Sequence, residues 1–189
     1  MGLYDAVRDL PLLVDTYALE SLEQQVSSGF LRKSTVIRLS GAGEEGLGED
    51  VTYEATEHDL VQAQGPIHPL AGEWTVATFS DQLATLALFD HEPEQHAYHD
   101  YRRWAYESAA LDLALRQAGL SLGDAVGRTA RPLTFVVSMR LGEPATTDRL
   151  RAWIGYYPTL RFKLDATADW TDELIDELRQ TGAVDSVDF

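Results

Sequence analysis

The sequence predicts an α+β protein in two parts. Residues 1–130 read as a three-stranded antiparallel meander plus helices, and residues 131–189 as a partial parallel β/α barrel of TIM type. Three observations carry that reading. Three strand-like runs with short links open the chain. A long amphipathic helix follows them. Near the C-terminus, Leu160-Arg161-Phe162-Lys163-Leu164-Asp165-Ala166 alternates strictly between apolar and polar residues. That stretch lies between an apolar run, Leu133 to Arg140, and a helix–strand pair, Thr171 to Thr181 and Val184 to Phe189. Strand, helix, strand, helix, strand is the order of parallel β/α units.

Leu12 to Glu20 reads as the first strand, Ser21 to Gly29 as a polar loop, and Phe30 to Leu39 as the second strand. Gly41-Ala42-Gly43 makes a turn, and Gly46 to Tyr53 is the third strand. The glycines from Gly41 to Gly48 invite a phosphate-loop reading, but such a loop must run into a helix N-terminus. Here the chain runs on into Val51-Thr52-Tyr53, so a hairpin is the better account. Helices follow over Glu57–Gln64, from a Ser80-Asp81 cap to about Leu88, and from Pro93 to Ala118, closed by Gly119. Trp104, Ala105, Ala109, Leu111, Leu113 and Leu115 are that long helix's expected core positions. Ser121-Leu122-Gly123-Asp124 reads as a capping-box variant opening a short helix through Val126. The domain boundary falls near Gly127 to Arg131.

Composition narrows the function. A net charge of −16 argues against nucleic acid, whose phosphates are bound by clustered Lys and Arg, and against anionic membrane surfaces. No cysteine is present, which excludes disulfides, thiolate metal sites and cysteine nucleophiles. No apolar run is long enough to span a bilayer, and Met1 to Leu10 carries charges where a signal peptide needs an apolar core, so a cytoplasmic location is expected. Lys33 and Lys163 are the only lysines, which makes Lys163 the one lysine available for chemistry in the C-terminal part.

On a barrel strand the last inward residue reaches the active-site mouth. Asp165 is then at the mouth, with Lys163 one layer below. Val184, Ser186 and Asp188 are expected to share a face of the next strand, so Asp188 ends that strand in the same way. Two carboxylates on neighbouring strand ends suit a hard divalent cation. Elsewhere the expectations are plain. His91, His96 and His99 cluster, but a zinc site needs more ligands and usually a second segment, so they read as solvated. His58 and His68 have no visible partner. Trp104, Trp153, Trp170 and Tyr156-Tyr157 read as packing rather than a pocket lining, and Arg102-Arg103 as surface charge. Ser138 lacks the nucleophile elbow and paired histidine of a Ser-His-Asp site.

Taken together, these residues resemble the enolase superfamily, in its mandelate racemase and muconate-lactonizing branch. Gly46-Leu47-Gly48-Glu49 is similar to the branch's glycine-x-glycine-glutamate segment. Ala109 to Leu115 and Gly119 to Gly127 are similar to its long helix and the short one after it. Arg161 to Ala166, followed by Trp170, is similar to the strand whose terminal aspartate binds magnesium, and Val184 to Asp188 to the next strand with its terminal acid. The resemblance implies an enolase-like capping domain over 1–130 and the first β/α units of an incomplete barrel over 131–189.

It also implies Mg2+ on Asp165 and Asp188, with Lys163 as the catalytic candidate. Lys163 has two alignments. It matches the first lysine of the family's lysine-x-lysine strand, with Asp165 in place of the second, or it lies two before the metal aspartate. Ala166 and Trp170 favour the latter. The implied activity is abstraction of a proton alpha to a carboxylate, as in racemases, epimerases, cycloisomerases or dehydratases, on a small carboxylate substrate. A full barrel takes roughly 250 residues, and only about three strands follow the boundary. The expectation is therefore a chain inactive alone, which self-associates or pairs with a complementing barrel chain. The alternative is a non-catalytic enolase-like binding or interaction module. Specificity loops in such a domain correspond to Ser21–Phe30 and Glu49–Tyr53.

Overall fold

Alternation and turn chemistry shape the first unit. A computed structural model describes residues 2–26 and 29–189 and divides into two compact units, Met1–Ala130 and Arg131–Phe189. In the first, a short helix α1 (Leu3–Val7) leads into β1 (Pro11–Val14), then β2 (Thr16–Gln25), β3 (Leu31–Gly41) and β4 (Glu44–Asp50). The last three form an antiparallel sheet in the order β2-β3-β4, the expected meander. The β3–β4 hairpin turns on Ala42 and Gly43, at φ 52° and 81°. Two consecutive left-handed residues give a tight hairpin turn matched to strand twist.

Two boundaries differ from expectation. The run Leu12–Glu20 breaks at Asp15, because β1 leaves the meander to pair antiparallel with β5 (Gly72–Thr75), a strand the sequence reading missed. The stretch expected as a polar loop is strand as far as Gln25, paired with Leu31–Thr35. Its side chains from Ser21 to Gln25 are exposed, so ladder hydrogen bonds rather than burial hold it there. Ser27 and Ser28 lie outside the described residues.

Helix α2 (Ala55–Gln64) follows the sheet, and α3 (Val76–Leu83) follows β5. The cap of α3 is Thr75, whose hydroxyl accepts from the Thr78 amide at 3.1 Å; Ser80 sits inside the helix and donates to Glu107 at 2.6 Å. The long helix α4 (Ala97–Gln117) begins four residues later than Pro93 would suggest. The segment before it is tied to helix α2 instead, with His91 2.6 Å from its neighbour Asp90 and 3.0 Å from Glu57 of α2. The short α5 (Leu122–Ala125) carries the expected capping box between Ser121 and Asp124.

Helix α4 lies on β4, and glycine permits it. A Cβ on Gly48 would come 1.9 Å from the Ala105 carbonyl oxygen, and one on Gly46 2.3 Å from that of Ala109. Backbones this close bury Ala105, Ala109 and Leu113 against Ile37, Leu39, Phe79 and Tyr106. Each large apolar side chain so buried contributes roughly 1.5–3 kcal/mol. Of the expected core positions of α4, Trp104 is the exception: it is 54% exposed. Arg102, expected on the surface, is buried and paired with Asp50.

The second unit is a three-stranded parallel sheet in the order β6-β7-β8. Its elements are β6 (Val136–Met139), α6 (Asp148–Tyr156), β7 (Arg161–Asp165), α7 (Asp172–Thr181) and β8 (Val184–Asp188). The apolar run Leu133–Arg140 is strand only from Val136, because Val136 registers with Arg161, where β7 begins. Leu133 and Phe135 thus have no ladder and are 74% and 78% exposed. Phe162 and Leu164 are fully buried with Leu150, Leu174 and Leu178. Trp170 packs partly on that core, whereas Tyr156 and Tyr157 are exposed, against the packing reading. Among the described residues, no helix is long and apolar enough to cross a membrane.

Candidate functional site

Alternation in β7 divides its side chains. Phe162 and Leu164 enter the core; Arg161, Lys163 and Asp165 lie on the opposite, half-buried face. The neighbouring strand keeps step only through an irregularity. Phe162 pairs with Val184, but Lys163 pairs with Ser186, so Asp185 is an extra residue. Its carboxylate accepts from Arg161 Nε at 2.9 Å, which holds Asp185 below the usual carboxylate range. The bulge corrects one expectation: Val184 turns to the core side with Phe162, while Ser186 and Asp188 fall on the Lys163 face.

Asp165 and Asp188 are register partners at the C-terminal ends of β7 and β8. Adjacent parallel strands lie about 4.8 Å apart, so the two acids are neighbours. Each has a basic companion. Lys163 Nζ forms an ion pair with Asp188 Oδ2, and Arg140 Nε stands 3.5 Å from Asp165 Oδ2. The Asp188 hydrogen bond and charge, with a smaller contribution from Asp165, raise the Lys163 pKa above its ordinary value. Lys163 is therefore protonated at neutral pH. Arg140 was not among the residues singled out in the sequence; its place immediately after an apolar strand was the available signal.

The donor set matches a hard divalent cation in kind. Mg2+ is commonly held by one or two carboxylates, with water and substrate oxygens completing the octahedron. The basic companions do not prevent this, because ion pairs between partly exposed groups contribute only about 0–1 kcal/mol and are readily exchanged.

A second polar network, in the first unit, was invisible in the sequence. His58 is fully buried; its Nδ1 is 3.1 Å from Thr35 Oγ1 and its Nε2 is 2.9 Å from the Thr52 carbonyl. A carbonyl only accepts, so Nε2 carries the proton and Nδ1 accepts from the threonine. Thr52 donates from N and Oγ1 to Asp50, whose other oxygen meets Arg102. Arg102 also donates to the carbonyls of Leu88 and Glu57 at 3.0 and 3.2 Å. The loop after β4 is thereby fixed to the helices beside it. The signal was the long-range spacing of these residues, which no local pattern reveals.

The fold is similar to that of several solved enzymes, of whose chains this one spans about half. Muconate lactonizing enzyme from Pseudomonas putida aligns with 92% of this chain and 51% of its own, at TM-score 0.62 and 20% identity. An isomerase from Streptomyces coelicolor A3(2) aligns over 94% and 52%, at 0.66 and 18%. A mandelate racemase/muconate lactonizing protein from Herpetosiphon aurantiacus gives 94% and 52%, at 0.65 and 17%. No curated protein matches the chain in sequence. The chain belongs to the DUF8230 family: the domain of unknown function (DUF8230) N-terminal domain matches residues 5–125, and the corresponding C-terminal domain matches residues 129–189.

Proposed function

We propose that this chain supplies the capping domain and first barrel strands of a magnesium-dependent enzyme that removes a proton alpha to a carboxylate, of the racemase, epimerase, cycloisomerase or dehydratase type. The observation that carries the reading is the register pairing of Asp165 with Asp188 at adjacent strand ends. The fold likeness to a muconate lactonizing enzyme and an isomerase supports it. In this reading Asp165 and Asp188 hold the ion, which when bound polarises the substrate carboxylate. Lys163, protonated while paired, positions Asp188; to act as a base it would first have to release Asp188 and give up its own proton to solvent.

The remaining ligands and the opposite base come from further barrel strands, in a longer polypeptide, a partner chain or a second copy. Among the described residues, Leu133 and Phe135 are exposed beside the free edge of β6, the kind of surface such strands would cover. Two protein carboxylates alone make a weak site, with affinity on the order of millimolar, and the chain by itself is inactive. The test is Mg2+ titration by calorimetry and NMR. Wild type should saturate and Asp165→Asn should not; equal, non-saturating responses from both would remove the proposal while leaving the fold intact.

A further inference from the structure

We propose that Glu92, His96 and His99 form a site for a divalent transition-metal ion of the zinc class, in the N-terminal unit and independent of the strand-end carboxylates. Glu92 lies in the loop before α4, His96 is the residue that precedes the helix, and His99 is one turn further on. The helical spacing brings the two imidazoles to one side, with ring centroids 5.4 Å apart. The loop returns Glu92 against both. Its Oε1 is 3.8 Å from His96 Nδ1 and its Oε2 is 3.5 Å from His99 Nε2. The three ligand atoms all lie within 4.8 Å of one another.

These distances are close to what zinc requires. Ligands about 2.0–2.1 Å from a tetrahedral ion stand roughly 3.3 Å apart, so small side-chain rotations complete the set. Such rotations are unhindered for His96 and Glu92, whose side chains are 91% and 75% exposed. His99 is the anchor, 37% exposed and edge-on to Phe89 at 5.1 Å. Two imidazoles and one carboxylate favour Zn2+, Ni2+, Cu2+ or Co2+ over Mg2+ and Ca2+.

Three protein ligands leave a fourth position open. Glu92 and His99 also line an open cleft of about 400 Å3, together with Leu86, Phe89, His91 and Arg103. An ion bound here joins the loop to the first turn of α4 and stands at the rim of that cleft. The consequence for stability follows from mass action, since a ligand that binds only the folded form raises the melting temperature with its concentration.

Titration of the untagged full chain with ZnCl2, followed by calorimetry and imidazole NMR, tests the assignment. The expected result is saturable one-to-one binding, with resonances of His96 and His99 moving together and the melting temperature rising. His96→Ala, His99→Ala and Glu92→Gln should each weaken binding at least about tenfold. MgCl2 should leave the resonances of His96 and His99 unmoved. Because His96 is so exposed, His96→Ala should fold as wild type, which circular dichroism verifies, so lost binding reports the site. The proposal is overturned by absence of saturable Zn2+ binding to wild type, by unchanged binding in the His96→Ala/His99→Ala double variant, or by binding that disappears only in His91→Ala.

Discussion

Arg102 donates from Nε to Asp50 Oδ2 at 2.8 Å, with the two side chains only 4% and 1% exposed. The guanidinium also stacks on the Phe89 ring, 3.6 Å from its centroid. A cation and an anion removed from water together are tolerated because each satisfies the other; either alone is not. Asp50→Leu and Arg102→Met should therefore each destabilise the chain by about 3–5 kcal/mol in urea unfolding. The double variant Asp50→Leu/Arg102→Met should recover part of that loss. Additive losses would show that the residues act separately.

The close approach of β4 to α4 makes a second test. Gly48→Ala sets a methyl group 1.9 Å from the Ala105 carbonyl oxygen, so the sheet or the helix must shift. Overpacking of this kind costs about 1–3 kcal/mol and often more. Gly155→Ala in α6 meets nothing within 4 Å and should stabilise by up to about 1 kcal/mol through helix propensity. Denaturation midpoints moving in opposite directions are expected.

His68 should make stability depend on pH. Its ring is edge-on to Tyr106, and its amide donates to Tyr17 Oη at 2.7 Å. Burial, then the charge of Arg102, lowers its pKa below the ordinary 6.5. The unfolded chain therefore binds the proton more readily than the native one. The contribution is complete above pH 6.5 and declines as pH falls below it toward the depressed native value. Thermal melts across this range should show that decline in wild type relative to His68→Phe. The comparison separates His68 from His91, whose raised pKa acts in the opposite sense.

In the second unit, adjacent substitutions in β7 should differ sharply. Phe162 is fully buried, so Phe162→Ala is expected to cost about 3–5 kcal/mol. Lys163 makes a partly exposed ion pair, so Lys163→Ala should cost no more than about 1 kcal/mol. Similar losses from the two would mean that β7 does not divide its faces as described.

What the sequence determined by itself was periodic or local. Two-residue alternation set β7, Gly41-Ala42-Gly43 marked the hairpin turn, and Ser121 with Asp124 announced a helix start. These signals act within a few residues, through backbone sterics and the direction of successive side chains. Tertiary structure alone decided the rest. It split Leu12–Glu20 between two sheets, carried β2 through polar residues on ladder hydrogen bonds, and buried Arg102 by bringing Asp50 to it from 52 residues away. It turned Val184 from the Asp188 face by one bulged residue, and it set Glu92 between two histidines. Each outcome depends on pairing energies between distant segments. A charge reads as solvated until the chain supplies its partner, and burial becomes favourable only when that partner arrives.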